Sequence, residues 1–142
     1  MTTLSTQVIG QTEKALNALL DRLLAGTGIT EPQWVTLTLA VTGGEALSAD
    51  ALAEKAAHSL KVDQATAHRR ITELAGHGLL RIGRDGGVEI TERGQARWSE
   101  IRAAVTRITG ELWGDLPEDD LATAGRVLST VLSRANALLA AA

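Results

Sequence analysis

Apolar residues recur along most of this chain at three- and four-residue spacings, the pattern of a helix with one buried face. Val8, Ala15, Leu16, Leu19, Leu20, Leu23 and Leu24 predict a first helix over about residues 5–25, stopped by Gly26 and Gly28. Thr30 followed closely by Pro32 reads as a hydroxyl cap with proline in the first turn. The second helix then carries Trp34, Leu37 and Val41 on one face and closes at Gly43 and Gly44. Ser48 caps a third helix through Leu60, whose stripe is Leu52, Ala53, Ala56 and Leu60. Lys61 and Val62 leave only a tight turn before a fourth helix from about Asp63 to His77 and Gly78. There the period changes. Leu80/Ile82 and Val88/Ile90 alternate around Arg84-Asp85-Gly86-Gly87, a β-hairpin signature. Thr91 can cap a long fifth helix marked by Trp98, Ile101, Val105, Ile108 and Leu112. Gly114 and Pro117 break the chain before a sixth, over about 118–139, with Leu121, Ala124, Leu128, Val131, Ala135 and Leu138. Its first turn holds Glu118, Asp119 and Asp120, where the helix dipole favours negative charge.

Two short helices joined by a tight turn and followed by a hairpin are the parts of a winged helix-turn-helix. The expected fold is mainly α with a small β-hairpin wing, one domain over 1–142 with a winged lobe at 30–91. Long helices at 1–28 and 92–142 flank that lobe. Leucine-rich faces at both ends of so short a chain point to intermolecular packing, with Leu16, Leu20, Leu121, Leu128, Val131 and Leu138 as dimer contacts. The alternative is a self-contained helical bundle.

Composition narrows the chemistry. The chain has 142 residues, including 23 alanines and 21 leucines, a helix-forming mixture. It contains no cysteine, so disulfides, thiolate metal sites and thiol redox sensing are excluded. Histidines at 58, 68 and 77 fit no metal-ligand spacing, and no cofactor is expected. No nucleophile–base pair or phosphate loop is legible, so an enzyme is not expected. The N-terminal residues lack the basic start and apolar run of a secretory signal. No stretch approaches the ~18 apolar residues of a membrane span, and the expected location is the cytoplasm.

The net charge of −3 hides an asymmetry. From Lys61 to Arg107 there are nine bases and six acids, a local +3. The remaining five bases and eleven acids give −6. On the fourth helix Ala67, Ile71 and Leu74 share one side at 100° per residue. Ala65, His68, Arg69 and Thr72 lie on the other, with Thr66 and Glu73 at its flank. A face of small, hydroxyl and basic residues suits close approach to base edges in a DNA major groove. Gln64 at the helix start can reach bases or phosphates, and Arg69 can grip a guanine or a phosphate. Arg84 at the hairpin tip can reach a minor groove or a phosphate. Each residue also has a plainer reading: a solvated arginine, an exposed histidine, a turn made soluble.

On these residues the sequence resembles the MarR regulators of multiple antibiotic resistance over nearly its whole length. The carriers are TEPQWVTLTLA at 30–40, SADALAEKAAHSL at 48–60, DQATAHRRITELAGHGLLRIG at 63–83 and VEITERGQA at 88–96. Asp63, Thr66 and Arg69 match the family's Asp-x-Ser-Thr-Val-x-Arg helix, and Ile90, Thr91 and Gly94 match its Leu-Thr-x-x-Gly step. The hairpin departs from the family's usual Asp-x-Arg element, leaving Arg84 as the wing's candidate for DNA. Arg70 replaces a residue that is usually apolar, and it joins the DNA-facing candidates. The resemblance implies a homodimer built from the first, fifth and sixth helices on double-stranded DNA with a pseudo-palindromic operator. It also implies a small-molecule effector pocket, for which Trp34 and Trp98 are candidates, and a ligand-responsive repressor. The competing expectation is a winged-helix module for protein contact without sequence-specific DNA binding.

Overall fold

In the computed structural model, which describes residues 2–44 and 47–141, local capping decides where each helix begins. The Ser5 side chain accepts from the Val8 N–H and opens α1 (Thr6–Leu24). Thr30 and Gln33 form a reciprocal capping box that opens α2 (Glu31–Thr42). Ser48 accepts from the Ala51 N–H to open α3 (Ala49–Leu60). Asp63 accepts from the Thr66 N–H to open α4 (Gln64–Gly76). Between them Lys61 takes the left-handed region at φ 58°, which folds the α3–α4 turn tightly. The hairpin consists of β1 (Leu80–Ile82) and β2 (Val88–Ile90), paired antiparallel with Arg81 opposite Glu89. Helices α5 (Glu92–Trp113) and α6 (Glu118–Ala140) complete the chain. Among the described residues no helix is long and apolar enough to cross a membrane.

The chain forms two compact units, Met1–Val105 and Thr106–Ala142. The first has a continuous core in which Leu37 and Thr36 from α2, Leu52, Ala53 and Ala56 from α3, and Ala67, Ile71 and Leu74 from α4 are buried. These are the stripes that the helical spacing picks out. Burying the leucine and isoleucine side chains among them contributes roughly 1.5–3 kcal/mol each. Leu80 is buried with them, whereas Ile82, two residues further out on the hairpin, is exposed. The alternation therefore reports a buried face only at the base of the wing.

The lobe also reaches further than residues 30–91. Leu24 of α1 and Ile101 of α5 are buried in its core, and Leu20 packs against it. Leu20, expected at a dimer contact, is thus half-buried within its own unit. On the α5 side the reason is a close backbone approach at Gly94. A Cβ added there would stand 2.0 Å from the Leu79 carbonyl oxygen, so only glycine fits. The Thr91 hydroxyl donates to the Gly78 carbonyl at 2.7 Å and accepts from the Gly94 N–H at 2.9 Å. The threonine and glycine of the Leu-Thr-x-x-Gly step therefore clamp the start of α5 onto the end of the α4–β1 connection.

The second unit differs. It holds the end of α5 and α6, and α6 has no buried residue. Val127, Leu128, Val131, Leu132, Leu138 and Leu139 are all exposed. Leu121 is half-buried.

Candidate nucleic-acid interface

Helix α4 turns Ala67, Ile71 and Leu74 into the core, so Ala65, Arg69 and Thr72 are exposed on its other side. Ala65 keeps that face low. The Thr72 hydroxyl donates to the His68 carbonyl at 3.1 Å. Among the described residues the Arg69 guanidinium has no hydrogen-bond partner, and its charge lies near Asp63 and Glu73. Side-chain and backbone hydrogen bonds from Thr66 hold the Asp63 carboxyl below its ordinary value, so the cap stays charged at neutral pH. Thr66 is thereby committed to capping, and it is half-buried.

Two residues at the α3–α4 crossing are partly engaged. His68 Nε2 lies 3.1 Å from Asp50 Oδ1, and Gln64 Nε2 donates to the Asp50 carbonyl at 3.3 Å. Asp50 itself is largely exposed. These contacts tie the start of α4 to the first turn of α3, with Gln64 still exposed.

Arg70 is engaged one turn along its own helix. Its Nη1 lies 2.7 Å from Glu73 Oε1 and 3.0 Å from Oε2, and both side chains are half-buried. Glu73 Oε1 also accepts from Gln33 Nε2 of α2 at 3.0 Å. The Gln33 amide first, and the Arg70 guanidinium after it, hold the Glu73 carboxyl below the usual carboxylate range. Gln33 thus joins α2 to α4, a contact between distant residues that helical spacing does not reveal. Thr30-x-x-Gln33 is the capping-box signature, and it fixes the side chain that anchors Glu73.

The wing is held by more than its own two strands. Ala49 N–H donates to the Gly86 carbonyl at 2.8 Å, and Val88 N–H donates to the Leu47 carbonyl at 2.9 Å. The segment entering α3 thus pairs with the far side of the hairpin, through an isolated Ser48–Gly87 bridge. Arg81 and Glu89 face each other across the rung at 3.0 Å. At the tip, Asp85 Oδ1 accepts from the Gly87 N–H at 2.9 Å, and Gly86 takes φ +82°. That turn leaves Arg84 exposed.

Trp34 and Trp98, expected beside an effector pocket, stack on each other with ring centroids 6.3 Å apart and planes 19° from parallel. Trp34 is buried, and the Trp98 indole N–H donates to the Thr38 hydroxyl at 3.1 Å. Their surfaces are used in joining α5 to α2. A cavity of about 440 Å³ lies where α1 ends and α2 begins, lined by Leu24, Ile29 and Pro32 together with Asp21, Thr30 and Glu31. Partial burial, reinforced by the charges of Asp21 and Glu13, raises the Glu31 pKa above its ordinary value. No group of three or more His, Asp or Glu side chains among the described residues is arranged to hold a metal ion.

No family model matches the sequence, and no curated protein is similar to it. Solved structures are similar in fold. A MarR family transcriptional regulator from Silicibacter pomeroyi is 23% identical with a TM-score of 0.74, over 92% of this chain and 88% of that one. The reduced form of MarR from E. coli is 22% identical with a TM-score of 0.69, over 93% and 96%. CouR from Rhodococcus jostii RHA1, solved bound to p-coumaroyl-CoA, is 16% identical with a TM-score of 0.75, over 87% and 88%. The fold is therefore the winged helix-turn-helix of the MarR regulators, over nearly the full length of each chain.

Proposed function

We propose that this chain is a MarR-type transcriptional regulator that binds double-stranded DNA as a homodimer, with α4 in the major groove. The observation that carries the reading is the outer side of α4. Arg69 stands there exposed between Ala65 and Thr72, in a stretch of net +3 on an otherwise acidic chain. Ala65 permits close approach, Arg69 reads a guanine or clamps a phosphate, and Gln64 and His68 work from the edge of the same face. Arg84 on the wing adds a backbone or minor-groove contact. The exposed apolar side of α6 supports the dimer, which would present two recognition helices about one helical turn apart on a pseudo-palindromic site.

Ligand response and repression belong to the same proposal. The cavity at the α1–α2 junction suits a small molecule with an apolar body and a cationic group, given its Leu24, Ile29 and Pro32 walls and its Asp21 and Glu31 carboxylates. Its rim includes Thr30, whose capping partner Gln33 bonds to Glu73 on α4. An occupant there has a contiguous route to the DNA-reading helix.

Selection of duplexes from a random DNA pool with purified protein, at moderate salt, tests the proposal. Enrichment of a palindrome with half-sites about one turn apart is the expected result. Recovery of only sequence-blind, salt-sensitive binding, or of none, overturns it in favour of a winged-helix module for protein contact.

A further inference from the structure

Helix α4 carries two adjacent guanidinium groups in different situations. Arg69 is exposed, and among the described residues it makes no hydrogen bond. Arg70 is held by Glu73, whose position is fixed from outside the helix. Gln33 donates to Glu73 Oε1 at 3.0 Å. Gln33 is itself buried, its Oε1 accepting from the Thr30 N–H at 3.1 Å while its own N–H donates to Thr30 Oγ1 at 3.4 Å. An ordinary i,i+3 ion pair on a helix surface is weak, because both long side chains lose freedom to form it. Here the acid is already immobilised by its bond to α2, so only the arginine has freedom to lose.

We propose that Glu73, anchored by Gln33, is a positioning residue that withholds Arg70 from bound DNA and leaves Arg69 as the arginine of α4 that contacts it. The inference rests on the DNA-binding reading above. It follows that the bound complex neutralises one phosphate fewer per recognition helix than its two arginines allow. Glu73→Gln keeps an oxygen that can accept from Gln33 but removes the charge that holds the guanidinium. Arg70 then swings free to a phosphate.

The test uses the full chain and the duplex enriched from the random pool, with binding measured by fluorescence anisotropy across a salt series. Glu73→Gln is expected to tighten binding several-fold and to steepen the dependence of log affinity on log salt by about one per recognition helix. Arg70→Ala alone is expected to leave the slope at the wild-type value, with a small loss of affinity from the uncovered Glu73 charge. The double variant separates release of Arg70 from simple removal of a negative charge near DNA. Loss of both the tightening and the extra slope in the double variant supports the latch, and their persistence overturns it. Thermal melting checks that each variant is folded. If Glu73→Gln is not, Arg70→Ala still decides, since a slope shallower by about one per recognition helix means that Arg70 already touches DNA. An affinity and slope unchanged in a folded Glu73→Gln variant sink the latch alone, whereas a wild-type chain that binds no duplex sinks the DNA reading and the latch with it.

Discussion

In Met1–Val105, Leu37, Leu52 and Leu74 are wholly shielded from solvent, whereas in Thr106–Ala142 Leu132, Leu138 and Leu139 are 59, 76 and 63% exposed. Both sets sit at helical spacing on well-formed helices, so spacing does not distinguish them. What differs is the supply of facing surface. In the first unit α2, α3 and α4 each turn a stripe toward the other two, and α5 adds Ile101. In the second, α6 is a 23-residue helix with no buried side chain. Isolated helices draw little stability from propensity alone, since most comes from packing an apolar face. A helix of that length with such a face asks for a partner, and the proposed homodimer would cover it with a face of matching chemistry.

Removing α6 is the most drastic way to break this contrast. A chain truncated after Pro117 is expected to be monomeric by light scattering, with the helical signal of the first unit retained. Its affinity for a palindromic duplex should fall about a hundredfold, because the two half-sites are no longer engaged by one linked molecule. A truncated chain that remains dimeric overturns the assignment of α6 as the principal interface.

Single leucine truncations sharpen the same point. Leu74→Ala, in the shared core of α2, α3 and α4, should cost about 2–5 kcal/mol in urea unfolding. Leu132→Ala on α6 should cost less at high protein concentration and more at low, because its loss weakens association and not an internal core. Equal, concentration-independent losses at the two sites remove the distinction between the units.

Next in size is Arg69→Ala. It is expected to weaken binding to the selected duplex by about 1–3 kcal/mol if the guanidinium reads a base. Melting temperature and dimerisation should be unchanged, since Arg69 is exposed on the side of α4 away from the core. An unchanged affinity removes Arg69 from the interface.

The sequence carried most of the fold because its punctuation is local. Thr30 with Pro32, Ser48, Asp63, Thr91 and Pro117 mark helix starts within a few residues of the groups they serve. The Asp85-Gly86-Gly87 turn does the same for the wing. The outer face of α4 followed from the period of its inner one. Contacts between distant elements were not legible. Arg70 and Glu73 are an evident i,i+3 pair, but Gln33 lies 40 positions from Glu73 and Trp98 lies 60 from Thr38. Periodicity states that a face is apolar, not which neighbour covers it. For the same reason Leu20 and Leu128 looked alike in sequence, though one packs against the lobe core and the other is exposed.

The smallest expected effect lies wholly within the first unit, in two glutamates with opposite linkage to pH. Hydrogen bonds from Gln33 and Arg70 lower the Glu73 pKa below its ordinary value of 4.5. Its contribution to stability is therefore present above that value and is lost as pH falls through the lower, folded one. Partial burial and the charges of Asp21 and Glu13 raise the Glu31 pKa above 4.5. The ionised form of Glu31 thus opposes folding at neutral pH, and that penalty is relieved as pH falls through the raised, folded value. Glu73→Gln should accordingly melt slightly below the wild type at neutral pH, and Glu31→Gln slightly above it. Both differences should shrink toward zero in acid, from opposite sides. Glu31 is also in the first turn of α2, where the helix dipole favours its charge. Burial and the neighbouring carboxylates push the other way. Both signatures should survive in the chain truncated after Pro117, because every group involved lies in Met1–Val105. A Glu31→Gln variant that melts below the wild type at neutral pH, with the gap closing in acid, would mean that the dipole prevails over burial at the mouth of the cavity.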